Sequence, residues 1–180
     1  MKCFVPTFYA ENIFMVDVNF FKENNIKLIL SDLDNTLDPH DELNPSDRVV
    51  EFKRKLDEIG VELAIVSNNK ASKKSIYCER LGVKGIFSCY KPFPNKILKF
   101  IEELGYKKEE VVLVGDQLLT DVFCGNNAGV KVILTDPICD NDQWTTRFNR
   151  LIDKPIREDM RKKGILEGVK ITYGKEEWIY

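Results

Sequence analysis

The sequence predicts an α/β fold, a doubly wound parallel sheet in three layers. Two features lead there. Short apolar runs alternate with segments whose apolar residues recur at helical spacing, the strand, helix, strand, helix order that builds parallel sheets. Each run also stops at a polar cluster, and in such sheets ligands sit at the carboxyl ends of the strands.

The stretch 26–37 is the clearest case: strand-forming residues end abruptly at Asp32 and Asp34, followed by Thr36. Positions i and i+2 of a strand point to one side, so the two carboxylates form a like-charged pair that a hard divalent cation would offset. Asp34-Asn35 is equally a good polar turn, and this motif alone does not decide between them. A polar flap, 38–43, precedes Asn44-Pro45, read as the cap and first residue of a helix striped by Val49, Phe52, Leu56 and Ile59 and stopped by Gly60. Residues 61–66 read as a strand ending at Ser67-Asn68-Asn69, and 72–81 as a helix closed by Gly82. A short strand at 86–87 leads to Lys91-Pro92, and Ile97, Leu98, Ile101 and Leu104 stripe a helix ended by Gly105. Residues 111–114 read as a strand running into Gly115-Asp116, with Asp121 beyond. A short helix at 120–128 and a last core strand at 131–134 complete the order.

Composition narrows the class. With 180 residues, 43% hydrophobic and 31% charged, the chain suits one soluble domain, a core of about 26–136 with segments 1–25 and 137–180 packed on it. A net charge of −2 and a pI near 5.6 argue against a nucleic-acid binder. The five scattered cysteines form no Cys-x-x-Cys pair and read as reduced thiols of a cytoplasmic protein. A single histidine, His40, excludes multi-histidine metal sites, and it reads as an exposed, uninvolved side chain of the flap.

Four successive strand ends thus offer Asp32 with Asp34, then Ser67, then Lys91, then Asp116 with Asp121. Acidic groups around a cation, a hydroxyl and an ammonium are the equipment for moving a phosphoryl group. From Lys27 to Asp136 the sequence resembles the haloacid dehalogenase superfamily, subclass III. Asp32-Leu33-Asp34-Asn35-Thr36 looks like its first motif, Ser67 its second, Lys91 its third, and Gly115-Asp116 through Asp121 its fourth. Ser67-Asn68-Asn69, Lys91-Pro92 and Thr146-Arg147-Phe148-Asn149-Arg150 look more narrowly like the YqeG-type phosphatases, a group similar to the mitochondrial phosphatidylglycerophosphatases.

The resemblance implies that Asp32 attacks phosphorus and becomes an aspartyl phosphate, with Asp34 as general acid and then base. It implies Mg²⁺ held by Asp32, the Asp34 carbonyl, Asp116 and Asp121, and phosphate oxygens bound by Thr36, Ser67, Asn68 and Lys91. Lys96 is the rival of Lys91, set aside because it falls on the helix. Members often carry a cap domain, but the 34 residues between Asp32 and Ser67 and the 23 between Ser67 and Lys91 leave no room for one. An uncovered site suits a phosphate displayed on something large, here a phospholipid headgroup, phosphatidylglycerophosphate. A phosphoprotein or nucleic-acid end is the alternative, and a receiver-like signalling module ranks far below.

Between Arg147 and Lys163 seven basic residues stand against three acidic ones. Arg147, Asn149 and Arg150, with Arg157 and Arg161, are candidate headgroup contacts, or the segment is a solvated helical face. The aromatics of residues 1–25 either pack beneath the sheet or touch a membrane surface as a peripheral contact. Val169, Ile171 and Tyr173 alternate like an added edge strand. Oligomeric state is not legible.

Overall fold

The computed structural model describes residues 2–139 and 144–171, and for Lys2, Ser72 and residues 144–148 the backbone alone. Six strands form one sheet: β1 (Phe8–Ala10), β2 (Leu28–Ser31), β3 (Glu62–Val66), β4 (Lys84–Ile86), β5 (Val111–Gly115) and β6 (Lys131–Thr135). Their order is β1-β6-β5-β2-β3-β4, and every pairing is parallel. From β2 the chain winds outward through β3 and β4, then returns to lay β5 on the other side of β2. The switch point therefore falls between β2 and β5, where Ser31 pairs with Val114. A crevice opens beyond such a point, and it is where the chemistry of these sheets is expected.

Alternation along the strands sends side chains to two cores. Ile29, Val112, Val114 and Ile133 pack with Phe21 of α1 (Asn19–Glu23), Val49, Phe52 and Leu56 of α2 (Asp47–Ile59) and Tyr77, Cys78 and Leu81 of α3 (Ala71–Leu81). Leu28, Leu30, Val111 and Leu113 pack on the opposite face against Ile97, Phe100 and Ile101 of α4 (Asn95–Glu103) and Cys124 and Ala128 of α5 (Phe123–Ala128). Strands buried on both faces read as near-continuous apolar runs, as observed. The expected doubly wound sheet and its three layers are the architecture found. No domain is inserted: residues 32–46 and 67–70 are all that separate β2 from α2 and β3 from α3.

Three expectations are corrected. The helix expected from Asn44-Pro45 begins at Asp47 with Ser46 as its cap. The buried Asp38 carboxylate accepts the Ser46 N–H at 3.0 Å, so the turn before the helix is held to the flap rather than continued into it. The helix expected over 120–128 opens as a π-turn, Leu118–Val122, before α5. Residues Phe8–Ala10, read only as an aromatic segment, add a strand.

Several aromatics of the N-terminal segment are packed into the core. Phe14 and Phe21 are buried against Phe52, with ring centroids 5.7 and 6.4 Å away, and Phe8 stands edge-on to Phe20 at 5.0 Å. Tyr9 donates its N–H to the Val169 carbonyl at 2.9 Å and accepts from the Ile171 N–H at 2.8 Å, so residues 169–171 meet the sheet edge at a single bridge and not as an added strand. Tyr173 lies outside the described residues. Among them, no helix is long and apolar enough to cross a membrane.

Candidate active site

The four strand ends converge. Asp32 follows β2, Asp116 follows β5, and Asp121 comes back over β5 from the π-turn. Its return is possible because residue 115 is glycine: a Cβ there would collide with the Asp121 carboxyl. One oxygen from each of Asp32, Asp116 and Asp121 lies within 4.8 Å of the others, and all three residues are buried. Lys91, with a side chain 2% exposed, donates to Asp32 Oδ1 at 2.7 Å, Asp121 Oδ1 at 2.6 Å and the Val66 carbonyl at 3.1 Å. Thr36 Oγ1 donates to Asp116 Oδ1 at 3.3 Å, and Arg150 Nη2 to Asp116 Oδ2 at 3.0 Å.

Burial holds the Asp32 carboxyl well above the usual carboxylate range. Lys91 pulls it back, while the neighbouring carboxylates add to the rise. Asp116 is pushed up to about 7, by burial first and then Asp121, against the pull of Arg150 and Arg157. Burial alone would lower the Lys91 ammonium, but Asp121 and Asp32 keep it above the ordinary lysine value. Lys91 therefore stays charged, and the strain of the cluster falls on the carboxylates. Three crowded carboxylates offering hard oxygen donors fit a divalent cation.

Asp34 is held by other partners. Its Oδ1 accepts from Lys74 Nζ and its Oδ2 from Asn69 Nδ2 at 2.7 Å, so its carboxylate is not among the three that crowd together. Only its backbone carbonyl remains for the metal role expected of it. Ser67 Oγ, buried, accepts the Asn69 N–H at 3.1 Å, which leaves its own hydrogen to donate. Asn68 spends its amide on the backbone of Lys91, accepting from its N–H at 2.7 Å and donating to its carbonyl at 3.0 Å. Its side chain thus aims Lys91, and the phosphate contact expected of Asn68 is left to its N–H. Lys96, the rival, donates to the Phe87 and Ser88 carbonyls on the exposed side of the same loop.

The basic segment forms α6 (Trp144–Lys162), and it is folded inward more than expected. Arg150 reaches Asp116, and Asn149 donates to Gln117 Oε1 at 3.0 Å. Arg157 is buried, bonding the Asp116 carbonyl, the Thr135 carbonyl at 3.0 Å and Asp136 Oδ1 at 3.0 Å, and Arg161 also takes Asp136. These groups brace the loop behind Asp116. The Arg147 side chain lies outside the described residues. Sequence reasoning missed Lys74 as a member of this neighbourhood, and gave Asn69 and Arg157 no part in holding Asp34 or Asp116. Lys70, Lys73 and Lys74 at the amino end of α3, where the helix dipole disfavours cations, were the one legible hint.

Fold and site together define an enzyme of the doubly wound α/β class with an aspartate-rich centre suited to phosphoryl transfer. Residues 10–135 match the family described as haloacid dehalogenase-like hydrolase, and the chain belongs to that family, as a phosphatase. It is 37% identical over 166 residues to the probable phosphatase YqeG of Bacillus subtilis, covering 92% of this chain and 96% of that one. It is 30% identical over 120 residues to the pyrophosphatase PpaX of Halalkalibacterium halodurans, spanning 61% of this chain and 55% of that relative. Among solved structures, an uncharacterized protein of Listeria monocytogenes serotype 4b shares the fold with a TM-score of 0.53 at 19% identity, over 66% of this chain and 84% of that one.

Proposed function

We propose that the protein is a Mg²⁺-dependent phosphomonoesterase that works through an aspartyl phosphate on Asp32 and acts on phosphatidylglycerophosphate. The observation that carries the chemistry is Lys91 between Asp32 and Asp121, with Asp116 in the same buried cluster. In the first half, a carboxylate oxygen of Asp32 bonds to phosphorus. The bond from phosphorus to the leaving oxygen breaks, and Asp34 gives that oxygen its proton. In the second half, water oxygen bonds to phosphorus, its proton passes to Asp34, and the Asp32–phosphorus ester breaks to restore the carboxylate. Ser67 and the backbone N–H of Asn68 donate to the phosphoryl oxygens, and Lys91 offsets their charge. Asp32, Asp116, Asp121 and the Asp34 carbonyl would hold Mg²⁺, which when bound supplies neutralisation of the phosphoryl and carboxylate charge.

A lipid substrate is supported by the short loops over the strand ends, which among the described residues put no lid between the site and a surface-bound phosphate. No nucleic-acid partner is expected, and contact with the bilayer would be peripheral. The test compares catalytic efficiencies for phosphatidylglycerophosphate in anionic vesicles with those for sugar phosphates, mononucleotides and phosphopeptides. The lipid should be preferred, and less so as salt is raised. Preference for a soluble phosphate would overturn the substrate and leave the chemistry standing. Activity undiminished in excess chelator would overturn the metal requirement.

A further inference from the structure

Lys74 has no part in the reaction as written, yet the fold invests in it. Its side chain is 8% exposed, and its ammonium donates to Asp34 Oδ1 and to the His40 carbonyl at 2.6 Å. Burying an ammonium is costly unless it is paired and hydrogen-bonded, and the amino end of a helix adds an unfavourable dipole. Asn69 completes the arrangement by donating to Asp34 Oδ2. The same lysine ties the flap to α3 through His40, and the flap is joined to Asp34 by the bridge between Asp34 and Asp38. Asp34 is therefore fixed at both oxygens and along its backbone.

The two halves of the reaction make opposite demands on Asp34. The first needs a proton on it; the second needs a bare carboxylate facing water. A carboxylate whose two oxygens each accept an N–H from a fixed donor is arranged as an acceptor. We infer that Lys74 and Asn69 are positioning residues for the second half, holding the Asp34 carboxylate in the orientation that takes the proton of the hydrolytic water. The inference rests on the aspartyl-phosphate reading above. In the step they serve, the water oxygen–phosphorus bond forms, the Asp32 oxygen–phosphorus bond breaks, and the water proton moves to Asp34.

The test is steady-state and stopped-flow kinetics with p-nitrophenyl phosphate and Mg²⁺ on the full chain. The value of kcat/KM reports events through the first transfer, while kcat includes hydrolysis of the phosphoenzyme. Lys74→Met should lower kcat about tenfold or more and kcat/KM less than about threefold, the loss of positioning on a general base. Its p-nitrophenolate burst should rise toward one equivalent per chain as phosphoenzyme accumulates. Asn69→Ala should show the same split to a smaller extent, and Lys74→Arg should recover most of kcat. Circular dichroism checks the fold, and if Lys74→Met does not fold, Asn69→Ala and Lys74→Arg decide. A parallel fall in kcat and kcat/KM, or a burst no larger than that of the wild type, would overturn the inference and leave Lys74 a structural tie. Full activity of Asp32→Asn on the same substrate would instead overturn the aspartyl-phosphate reading itself, and the inference with it.

Discussion

Two groups of buried aspartates lie near the carboxyl end of the sheet, and they are treated in opposite ways. Asp38 is 1% exposed, and its Oδ2 accepts from the Tyr77 hydroxyl at 2.6 Å and the Ser46 N–H at 3.0 Å, with Arg48 Nη2 3.7 Å from Oδ1. Each of these partners is a donor, and among the described residues Asp38 belongs to no cluster of three carboxylates. Asp32, Asp116 and Asp121 are also buried, but they face one another across less than 4.8 Å, with Lys91 shared between two of them. Burial of a carboxylate is thus no sign of function by itself. A satisfied one is a tie, while a crowded set keeps an unspent affinity for positive charge.

The sharpest break in this comparison is Asp32→Asn. It removes nucleophile and metal ligand together with little change in volume, so activity should fall to background. The metal-free fold should keep or gain thermal stability, since one of three crowded charges is gone. A circular dichroism melt several degrees below the wild type would mean that the cluster is a tie after all. Asp34→Asn should slow turnover by roughly a hundredfold, the usual contribution of a general acid and base. An unchanged rate would leave Asp34 as no more than the partner of Lys74.

For the satisfied aspartate the expectation reverses. Asp38→Ala leaves the Tyr77 hydroxyl and the Ser46 N–H buried without their acceptor, and should cost about 2–4 kcal/mol of stability by denaturant unfolding, with activity per folded molecule changed much less. A loss of activity without a loss of stability would place Asp38 in the reacting group.

The smallest effect is on pH. The Asp116 carboxyl sits at about 7 in the fold against an ordinary 3.8, because burial and then Asp121 disfavour its charge. A raised acid contributes stability that is complete below its ordinary value and lost as pH rises through the folded value. The metal-free protein should therefore weaken between about pH 4 and pH 8, and Mg²⁺, which favours the ionised cluster, should raise the melting temperature more at pH 8 than at pH 6. Equal shifts at both values would argue that the cluster does not hold the cation.

What could be read from sequence followed the strands. Asp32, Ser67 and Asp116 directly follow strands, so period and position brought them to one edge, while Lys91 lies further along the loop after β4. Gly115 was legible as part of a motif, but its reason, the approach of Asp121, needed the π-turn that sequence period reads as plain helix. Lys74 and Arg157 come from helices that cross to the site only once packed. A lysine four residues into α3 and an arginine in a basic run look solvent-facing until their depth is known. β1 escaped because Phe8–Ala10 is too short to show a period and borrows its pairing from β6.

The junction of Tyr9 with residues 169–171 bears on how copies of this chain keep apart. A parallel sheet has two margins whose unpaired N–H and carbonyl groups can template a strand from another molecule. Here both margins are strands of three residues, Phe8–Ala10 and Lys84–Ile86. The first has its open side taken at Tyr9 by the carbonyl of Val169 and the N–H of Ile171, and the second begins with an exposed lysine. Crowded solution should therefore find little on this sheet to extend, and removing residues 169–171 should turn a self-limiting margin into an adhesive one.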